Sequence, residues 1–518
     1  MRTVAGHLAV ILEKLIDRNH RCSLIMSTCC LGLTGIGCDG KEDPAYARGS
    51  TVVMAVPDIE MVKPDEWDLD LLIFLPLAKQ NERGELEGQL ARSWEHSPDH
   101  REYTYHLRTE LLWDDGVPVT AHDVKFTLDL LGHPDVAEHP GIEATVVDDS
   151  TVRIRASNPD YLQDIGYFPR HLLEKLDPKR FWDWDFWTQP VGNGPYRFVR
   201  SVPQTMMEFE ANPDYFGPNP PIERLILKFV GDGGLTELLA GNVDIAQGDL
   251  NQIPLIANDP RFRVYVHPSA GARAIFWKTD HPLFSDPQVR RALTLALGRQ
   301  EMLQSLNLPE LTITDGVYTG RQAQRGEWAE PLPYNPEEAR ALLDAAGWVD
   351  RNGDGIREKG GRPFRFTATV WQGDGIPQLA VYVQAFLRQV GIHMEIQIHD
   401  GTVMFGKLKA GDFEAWMGVG QSGPGAQRRD FGRDNSTGYR NPAVFDIIDS
   451  IHATADPVEE DRLYHQLAEL YRADMPFTRI IPWSRTWFVH RRIRGLSTPF
   501  RANPDTYMET LWIETGDE

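Results

Sequence analysis

Short strand-like runs alternate with capped amphipathic helices along most of this 518-residue chain. Residues 103–108 and 364–371 are rich in alternating β-branched and aromatic side chains, which is typical of strands. Between such runs lie segments whose apolar residues recur three and four positions apart, as on one face of a helix. The alternation of these two periods predicts an α/β fold.

Three helices have recognisable first residues. Thr120, Asp286 and Asn335 are predicted N-caps, because each is a short polar residue directly before an apolar helical pattern. The last two are followed by proline, whose missing N–H does no harm in a first turn. Gly347 is predicted to end the third helix in the left-handed conformation.

The chain is too large for a single hydrophobic core. At 518 residues and 58.7 kDa it exceeds the size at which one core usually stops growing, so two or three lobes are expected. A formal net charge of -22 repels phosphate backbones and anionic headgroups. The charge therefore argues against a nucleic-acid partner.

The cysteines are confined to the beginning of the chain. All 4 of them, Cys22, Cys29, Cys30 and Cys38, lie within the first 38 residues. The remaining residues therefore have no disulfide framework and no cysteine metal site.

Residues 1–38 have the order of a secretory signal, because basic residues precede a mostly apolar run and small residues precede Cys38. A bacterial lipoprotein cleavage site has the same order. It predicts that Cys38 becomes a lipidated N-terminus and that residues 39–49 form a polar tether. Gly35 stands where such sites usually carry leucine, so simple secretion and an uncleaved hydrophobic anchor stay open.

The stretch 350–361, DRNGDGIREKGG, has part of the spacing of a calcium loop. Asp350, Asn352, Asp354 and Glu358 occupy its first, third, fifth and ninth positions, but glycine stands where a bidentate glutamate is required. Asn-Gly and Asp-Gly steps also supply the positive φ values of a turn into a strand. We interpret the stretch as a turn, with a weak cation site as the alternative.

The sequence carries no positive sign of catalysis, since it has no nucleophile elbow, zinc-protease helix or phosphate-binding loop. Its 16 histidines are scattered, and the nearest pair, His96 and His100, is interpreted as part of a surface turn. Residues 180–187, RFWDWDFW, are interpreted as aromatic packing between lobes, with a ligand wall as the alternative. No cofactor and no metal ion are predicted.

Whole segments, in order, resemble the bacterial extracellular solute-binding proteins of family 5, the oligopeptide-, dipeptide- and nickel-binding components of ABC transporters. The most specific block is 90–131, LARSWEHSPDHREYTYHLRTELLWDDGVPVTAHDVKFTLDLL. Residues 192–199, GNGPYRFV, and 334–367, which include the turn at 350–361, are similar to further family elements. The resemblance runs from about residue 90 to residue 482.

The resemblance implies a two-lobed periplasmic-binding-protein clamshell of type II, in the large peptide-binding subclass with an extra subdomain. The extra subdomain would be residues 76–189, and the second lobe residues 274–482. The first lobe would be discontinuous and would combine residues 50–75, 190–273 and 483–518.

The same resemblance places the ligand between the lobes. Peptide-binding members hold the ligand's α-amino group with an aspartate beside an Asp-Pro step in a glycine-rich loop. The matching region, 415–442, lacks that step and has Asp430 as its first acid, so a standard peptide specificity is not implied. The arginines of this region either bind an anionic group of the ligand or form a charge cluster on the solvated surface. The residues expected to contact the ligand are Trp277, Trp371, Trp416, Gln421, Arg428 and Asp430.

The implied function is an extracytoplasmic receptor that captures a peptide or similar small solute and delivers it to an ABC importer, without catalysis. Its expected partners are the solute, the transporter permease and a membrane, reached through the lipid anchor. We expect a monomer in the periplasm or at the cell surface. A ligand sensor that uses the same clamshell is the alternative.

Overall fold

The computed structural model describes most of the chain after the predicted leader and tether. The described residues are 50–56, 69–80, 86–98, 101–136, 142–156, 165–306, 308, 311, 313–315, 330–420, 424–433, 435–454, 456–496 and 511–514. The predictions for Cys38, for the tether 39–49 and for Gln421 fall outside these residues. All elements below belong to the unit Asp43–Glu518.

Strands and helices alternate through the described residues, which confirms the α/β prediction. The strands are β1 Thr51–Val56, β2 Ala78–Gln80, β3 Leu86–Gly88, β4 Ala91–His96, β5 Glu102–Leu107, β6 Ile142–Asp148, β7 Thr151–Ala156, β8 Tyr196–Val202, β9 Met206–Ala211, β10 Arg224–Phe229, β11 Ile245–Gly248, β12 Phe262–Trp277, β13 Glu358–Lys359, β14 Arg362–Pro363, β15 Arg365–Trp371, β16 His393–His399, β17 Ala415–Gly420, β18 Phe477–His490, β19 Ile493–Arg494 and β20 Trp512–Ile513.

The helices include both long amphipathic segments and single turns. The α-helices are α1 Ala121–Leu131, α2 Arg170–Leu173, α3 Gly234–Leu239, α4 Ile253–Ile256, α5 Pro287–Leu295, α6 Arg299–Ser305, α7 Pro336–Ala345, α8 Ile376–Gln389, α9 Gly401–Ala410, α10 Pro424–Phe431, α11 Pro442–Ala453 and α12 Pro457–Asp474. Short 3-10 helices span Leu69–Leu72, Pro178–Asp183, Asp185–Thr188, Gly231–Gly233 and Leu250–Gln252. Within the described ranges, no helix is both long and apolar enough to cross a membrane.

One large sheet organises the fold. Its ten strands have the order β16-β15-β17-β12-β18-β11-β1-β10-β9-β8. On one side, β1 is parallel to β10 and β11, and on the other side β15 is parallel to β16 and β17. The long antiparallel strands β12 and β18 join the two parallel groups, because β12 pairs with β17 and β18 pairs with β11.

The two long strands β12 and β18 each span the region between the two parallel groups. β12 has 16 residues and β18 has 14, so β12 spans about 50 Å. Their register shifts between Pro268 and Ala272. The lobe boundaries expected after residues 273 and 482 both fall within these strands, and the division into lobes stays a prediction.

A smaller sheet of order β4-β5-β7-β6 shares a hydrophobic core with part of the ten-stranded sheet, and helix α1 packs on it. The aromatic run 180–187 belongs to the hydrophobic core on this side. Phe181 and Trp187 are fully buried, and their rings lie edge-on at 5.1 Å between centroids. Trp187 also packs edge-on against Phe168 at 5.4 Å. These residues therefore pack a hydrophobic core, and their predicted position between lobes stays a prediction.

The predicted helix caps are confirmed. The Asp286 carboxylate accepts from the backbone N–H of Gln288 at 2.8 Å, and the Asn335 side-chain oxygen accepts from that of Glu338 at 3.1 Å. Thr120 caps α1 in a capping box with Asp123, whose carboxylate accepts from the Thr120 backbone N–H at 2.8 Å. Gly347 follows α7 with a φ of 86°.

The stretch 350–361 forms a turn that leads into the hairpin β13-β14. Both oxygens of the Asp350 carboxylate accept backbone hydrogen bonds, from Gly353 at 2.7 Å and from Gly355 at 2.9 Å. These two glycines have φ values of 75° and 83°, which other residues rarely adopt. The side chains of the stretch therefore hold its own backbone, as interpreted from the sequence.

Candidate functional site

A pocket of about 700 Å³ lies between the two parallel strand groups. Its lining residues come from the carboxyl ends of β1, β10, β11 and β15 and from the segments that follow them. Ligands of open α/β sheets bind at such ends, where loops diverge and leave a crevice. The lining residues are Ala55, Val56, Val230, Gly231, Gly234, Gln247, Gly248, Asp249, Gln252, Trp371, Gln372 and Gly373.

The pocket wall that β1, β10 and β11 form contains glycines at two positions. Gly248 ends β11, and a Cβ built there would overlap the ring of Phe488 on the neighbouring strand β18. Gly231 follows β10 with a φ of 52°, in the left-handed region that glycine adopts without strain. A side chain at Gly248 would therefore clash with a core ring, and one at Gly231 would be strained.

Amide side chains and one carboxylate form the polar part of the lining. Gln247 is the third residue of β11, and Asp249 precedes the 3-10 helix Leu250–Gln252. The Gln252 side-chain oxygen accepts from the backbone N–H of Asp249 at 2.9 Å, which forms a capping box at this turn. A primary amide both donates and accepts, so it can bind an amide or a hydroxyl group.

The opposite wall is the segment that follows β15. The ring of Trp371 lies over Gly373, since a Cβ at that glycine would come within 2.8 Å of the indole. The backbone N–H of Gln372 donates to the carbonyl of His399 at 3.0 Å. Asp374 and Gly375 then have φ values of 60° and 69°, which turn the chain sharply into α8.

This segment is held by the two long strands. The Trp483 indole N–H donates to Asp374 Oδ2 at 2.7 Å, and the Arg273 Nε donates to the Asp374 carbonyl at 2.8 Å. The guanidinium of Arg273 also lies 3.7 Å from Asp374 Oδ1 and donates to the carbonyl of Pro482 at 3.0 Å. The position of Trp371 therefore depends on contacts of β12 and β18.

Arg273 is a buried cation, with a side chain 1% exposed. Burial lowers the pKa of its guanidinium, while the negative charges of Asp374 and Asp249 act in the opposite direction. A buried charge is tolerated when it is paired and hydrogen-bonded, and Arg273 meets both conditions.

Of the residues predicted from the sequence, Trp371 lies in the pocket. Trp277 is 0% exposed, and its indole N–H donates to the Thr478 hydroxyl at 3.1 Å. Trp416 is 8% exposed and stacks on Phe276 with ring centroids 3.9 Å apart. The structure thus places Trp277 and Trp416 in hydrophobic cores, because both lie in strands whose neighbours cover them. Ligand contact by these two residues stays a prediction to which the packing adds no support.

The charged residues predicted from the loop after β17 lie on helix α10. Arg428 is exposed, whereas the Asp430 side chain is largely buried and pairs with Arg429 at 2.8 Å. Burial raises the pKa of the Asp430 carboxyl, against the lowering effect of Arg429. Neither Arg428 nor Asp430 lines the pocket, and their predicted ligand contact stays untested.

Sequence reasoning missed the polar residues that line the pocket at the end of β11. Gln247, Asp249 and Gln252 lie within the stretch DIAQGDLNQ, directly after a short apolar strand. Polar residues that cluster at the carboxyl end of a strand are a recognisable signal of a site. That signal is ambiguous without the strand order, since the same residues are typical of turns.

Comparison with known proteins identifies the relatives of this chain. The family model of bacterial extracellular solute-binding proteins, family 5 middle, matches residues 85–434. A Brucella ovis protein named as an ABC transporter peptide-binding protein is 28% identical over 447 residues, which are 81% of this chain and 82% of that protein. The oligopeptide-binding protein AppA of Bacillus subtilis is 24% identical over 443 residues, 79% of this chain and 81% of its own.

Solved structures share the fold. NikA from Brucella suis, in complex with Fe(III)-EDTA, superimposes with a TM-score of 0.76 at 20% identity and covers 90% of this chain and 100% of its own. AppA from Bacillus subtilis, in complex with a nonapeptide, gives a TM-score of 0.68 at 21% identity, and the match covers 90% of this chain and 99% of the AppA chain. These likenesses identify the fold as the two-lobed clamshell of periplasmic binding proteins.

Proposed function

The chain belongs to the bacterial extracellular solute-binding proteins of family 5, and from this premise we propose that it captures a peptide or similar small solute and delivers it to an ABC importer. The solute binds in the pocket between the two parallel strand groups. Family members are transport binding proteins, and in this proposal the chain likewise binds its solute without converting it.

The observation that carries the proposal is the composition of the pocket wall. Residues after β1, β10 and β11 line one side, and the segment after β15 lines the other. A solute that touches both sides stabilises the arrangement in which they face each other, and so shifts the equilibrium towards a closed form. Only the closed form presents both sides together to a transporter.

The size and chemistry of the pocket suit a small polar solute. A volume of about 700 Å³ lies within the range of about 300–1,000 Å³ that is usual for small-molecule sites. The Trp371 ring offers an apolar surface, and three glutamine amides can pair with the amide groups of a peptide backbone. The Brucella ovis relative and AppA, both named for peptide binding, favour a peptide.

The location of the protein is part of the same proposal. The order of basic, apolar and small residues before Cys38 supports secretion followed by lipid attachment. The protein then acts as a monomer on the outer side of a membrane, in the periplasm or at the cell surface. Mass spectrometry of the protein from bacterial membranes tests this, since a lipidated Cys38 gives a diacylglyceryl mass on the first peptide.

Thermal unfolding of the purified protein, with and without candidate solutes, tests the binding function. The panel contains di- to pentapeptides, oligosaccharides and divalent metal ions. A true solute at one hundred times its dissociation constant adds about 2.7 kcal/mol to the free energy of unfolding. Stabilisation by peptides is expected, and a folded protein that no solute stabilises would contradict the proposal.

A variant locates the binding. Trp371→Ala removes the aromatic wall and should weaken solute binding at least 10-fold, whereas Trp512→Ala removes an exposed tryptophan of β20 and should not. Equal binding by Trp371→Ala and the parent protein would place the solute elsewhere.

A further inference from the structure

We propose that Arg101 is a positioning residue that holds the pocket in its closed form, through a hydrogen bond to the carboxyl end of helix α11. The inference rests on the proposed function, because a closed form matters only for a protein that captures a solute. It adds a residue outside the pocket on which the affinity for the solute depends.

The hydrogen bond joins two distant segments of the chain. Arg101 directly precedes β5 of the small sheet. Its Nη2 donates to the backbone carbonyl of Ala453, the last residue of α11, at 2.9 Å. The two residues are 352 positions apart, so the bond exists only while the small sheet and α11 lie side by side.

The small sheet shares a hydrophobic core with the strand group that contains β1. Tyr105 of β5 is buried in one cluster with Val52 of β1 and Leu227 of β10. Side chains in a close-packed core cannot slide past one another without a loss of packing. The small sheet therefore moves together with the pocket wall that β1, β10 and β11 form.

Helix α11 belongs to a different core, on the side of the other strand group. Its buried Ile448 lies in one cluster with Trp416 of β17 and Phe276 of β12. Strand β17 pairs directly with β15, which ends at Trp371 in the pocket wall. Helix α11 therefore moves together with the wall that contains Trp371.

The bond thus spans the same division as the pocket. The two walls also approach each other beside the pocket, since a Cβ built at Gly375 would lie 3.7 Å from the Cβ of Leu250. Leu250 follows β11, whereas Gly375 follows β15. An opening that separates these walls moves the small sheet away from α11 and breaks the bond. Because the bond contributes to the closed form alone, it shifts the equilibrium towards closure.

The carboxyl end of a helix is a suitable partner for a guanidinium. The last carbonyls of a helix have no donor within the helix, and the macrodipole gives this end a partial negative charge. A charged donor makes a stronger hydrogen bond to such a carbonyl than a neutral one does. Arg101 is exposed, so water and salt weaken the attraction, and the bond can break to admit or release a solute.

The test begins with two substitutions of Arg101. Arg101→Gln removes the charge and shortens the side chain, whereas Arg101→Lys keeps the charge. The matched control is Arg155→Gln, because Arg155 is also exposed and lies 3.6 Å from Glu102 within the small sheet. Urea unfolding with unchanged midpoints establishes that the variants fold.

A further substitution changes the other end of the bond. Ala453 is exposed, and Ala453→Lys brings a positive charge close to Arg101 at a helix end that favours cations. If the two positions interact, Ala453→Lys weakens closure in the parent protein and has little effect in the Arg101→Gln background. The comparison separates the bond to α11 from any other contact of Arg101.

Single-molecule fluorescence energy transfer measures the distance between the small sheet and α11. All 4 cysteines lie within the first 38 residues, so their replacement by serine leaves a full-length chain with no other thiol. The labels are attached at Thr145→Cys on β6 and Ala443→Cys on α11, which are both exposed positions. Equilibrium dialysis with mass spectrometry measures binding, with a mixture of di- to pentapeptides as the probe.

The parent protein and Arg155→Gln should show a population at short distance that grows when the peptide mixture is added. Arg101→Gln should reduce this population and weaken peptide binding about 3- to 10-fold, the range of one exposed charged hydrogen bond. Arg101→Lys should restore most of both. An equal effect of Ala453→Lys in both backgrounds would assign the result to another contact of Arg101 and overturn the proposal.

The two proposals fail in different ways. Peptide binding by the parent protein, with the same distances in Arg101→Gln, would overturn the role of Arg101 and leave the transport function intact, whether or not the affinity changes. If no peptide binds but Arg101→Gln reduces the short-distance population of the protein alone, the role of Arg101 is supported and the peptide part of the proposed function is contradicted. A parent protein that binds no peptide and has the same distances as Arg101→Gln would contradict both.

Discussion

Replacement of Asp244 by alanine should destabilise the fold strongly, because it removes the partner of a buried guanidinium. Asp244 and Arg492 are both 0% exposed. Arg492 donates from Nε to Asp244 Oδ1 at 3.0 Å and from Nη2 to Oδ2 at 2.8 Å. The same carboxylate accepts from the backbone N–H of Val53 at 2.9 Å, so it ties β1 to the chain that follows β18.

The magnitude follows from what each variant leaves behind. Asp244→Ala leaves the Arg492 charge buried without its carboxylate, and removal of one member of a buried pair costs about 3–5 kcal/mol. The double variant Asp244→Leu/Arg492→Met leaves no buried charge. Its costs are the Val53 N–H without an acceptor, about 1–3 kcal/mol, and the smaller loss of the Arg492 hydrogen bond to the Thr51 carbonyl, which keeps a second lone pair.

Urea unfolding followed by tryptophan fluorescence and circular dichroism measures both variants. We expect Asp244→Ala to lose more free energy of unfolding than the double variant, although the double variant changes more atoms. Asp149→Asn, at an exposed acid, serves as the control and should change the free energy by less than about 0.5 kcal/mol.

Two results would refute this reasoning. A cost below about 1 kcal/mol for Asp244→Ala would mean that the pair is not buried in solution as the structure has it. A double variant as unstable as the sum of the two single variants would mean that the two side chains do not interact.

Three further predictions concern the pocket and the turn. Gly248→Val should abolish solute binding and lower the free energy of unfolding, because the valine side chain would overlap the Phe488 ring. Equilibrium dialysis measures the binding and urea unfolding the stability, and normal binding would contradict the packing at β11. Trp483→Phe keeps an aromatic ring but loses the indole N–H that donates to Asp374, so the affinity for the solute should fall about 3- to 10-fold with a small change in the urea midpoint. Unchanged affinity in calorimetry would show that this contact does not position the pocket wall. Calcium titrated into the purified protein should release no heat of binding, since both Asp350 oxygens accept backbone N–H groups, and a saturable heat lost in Asp350→Ala would contradict the turn interpretation.

Local elements could be predicted well from the sequence. The caps at Thr120, Asp286 and Asn335 and the stop at Gly347 depend on hydrogen bonds within a few residues, so the signals lie next to one another in the chain. The α/β class followed from the same local periods. Trp371 could be selected because it ends the strand that follows the turn at 350–361, in the region of the family resemblance where cleft residues are expected.

The pocket is formed by residues that lie far apart in the chain. Arg273 and Asp374 are 101 positions apart, and Trp483 lies 109 positions from the carboxylate to which it donates. Nothing near Asp249 in the chain indicates that Trp371 lies across from it. Segments that meet only through the sheet leave no periodic signal, and so the polar lining escaped prediction.

The sequence by itself determined the alternation of strands and helices, their ends, the turn at 350–361 and the membership of the family, because each is encoded in neighbouring residues or in ordered blocks. The tertiary structure alone decided which tryptophan faces the pocket. Trp277, Trp371 and Trp416 all lie in apolar strands, and the strand order covers the first and third while it leaves the carboxyl end of β15 open. Burial is a property of neighbours in space, and the sheet assembles those neighbours from opposite ends of the chain.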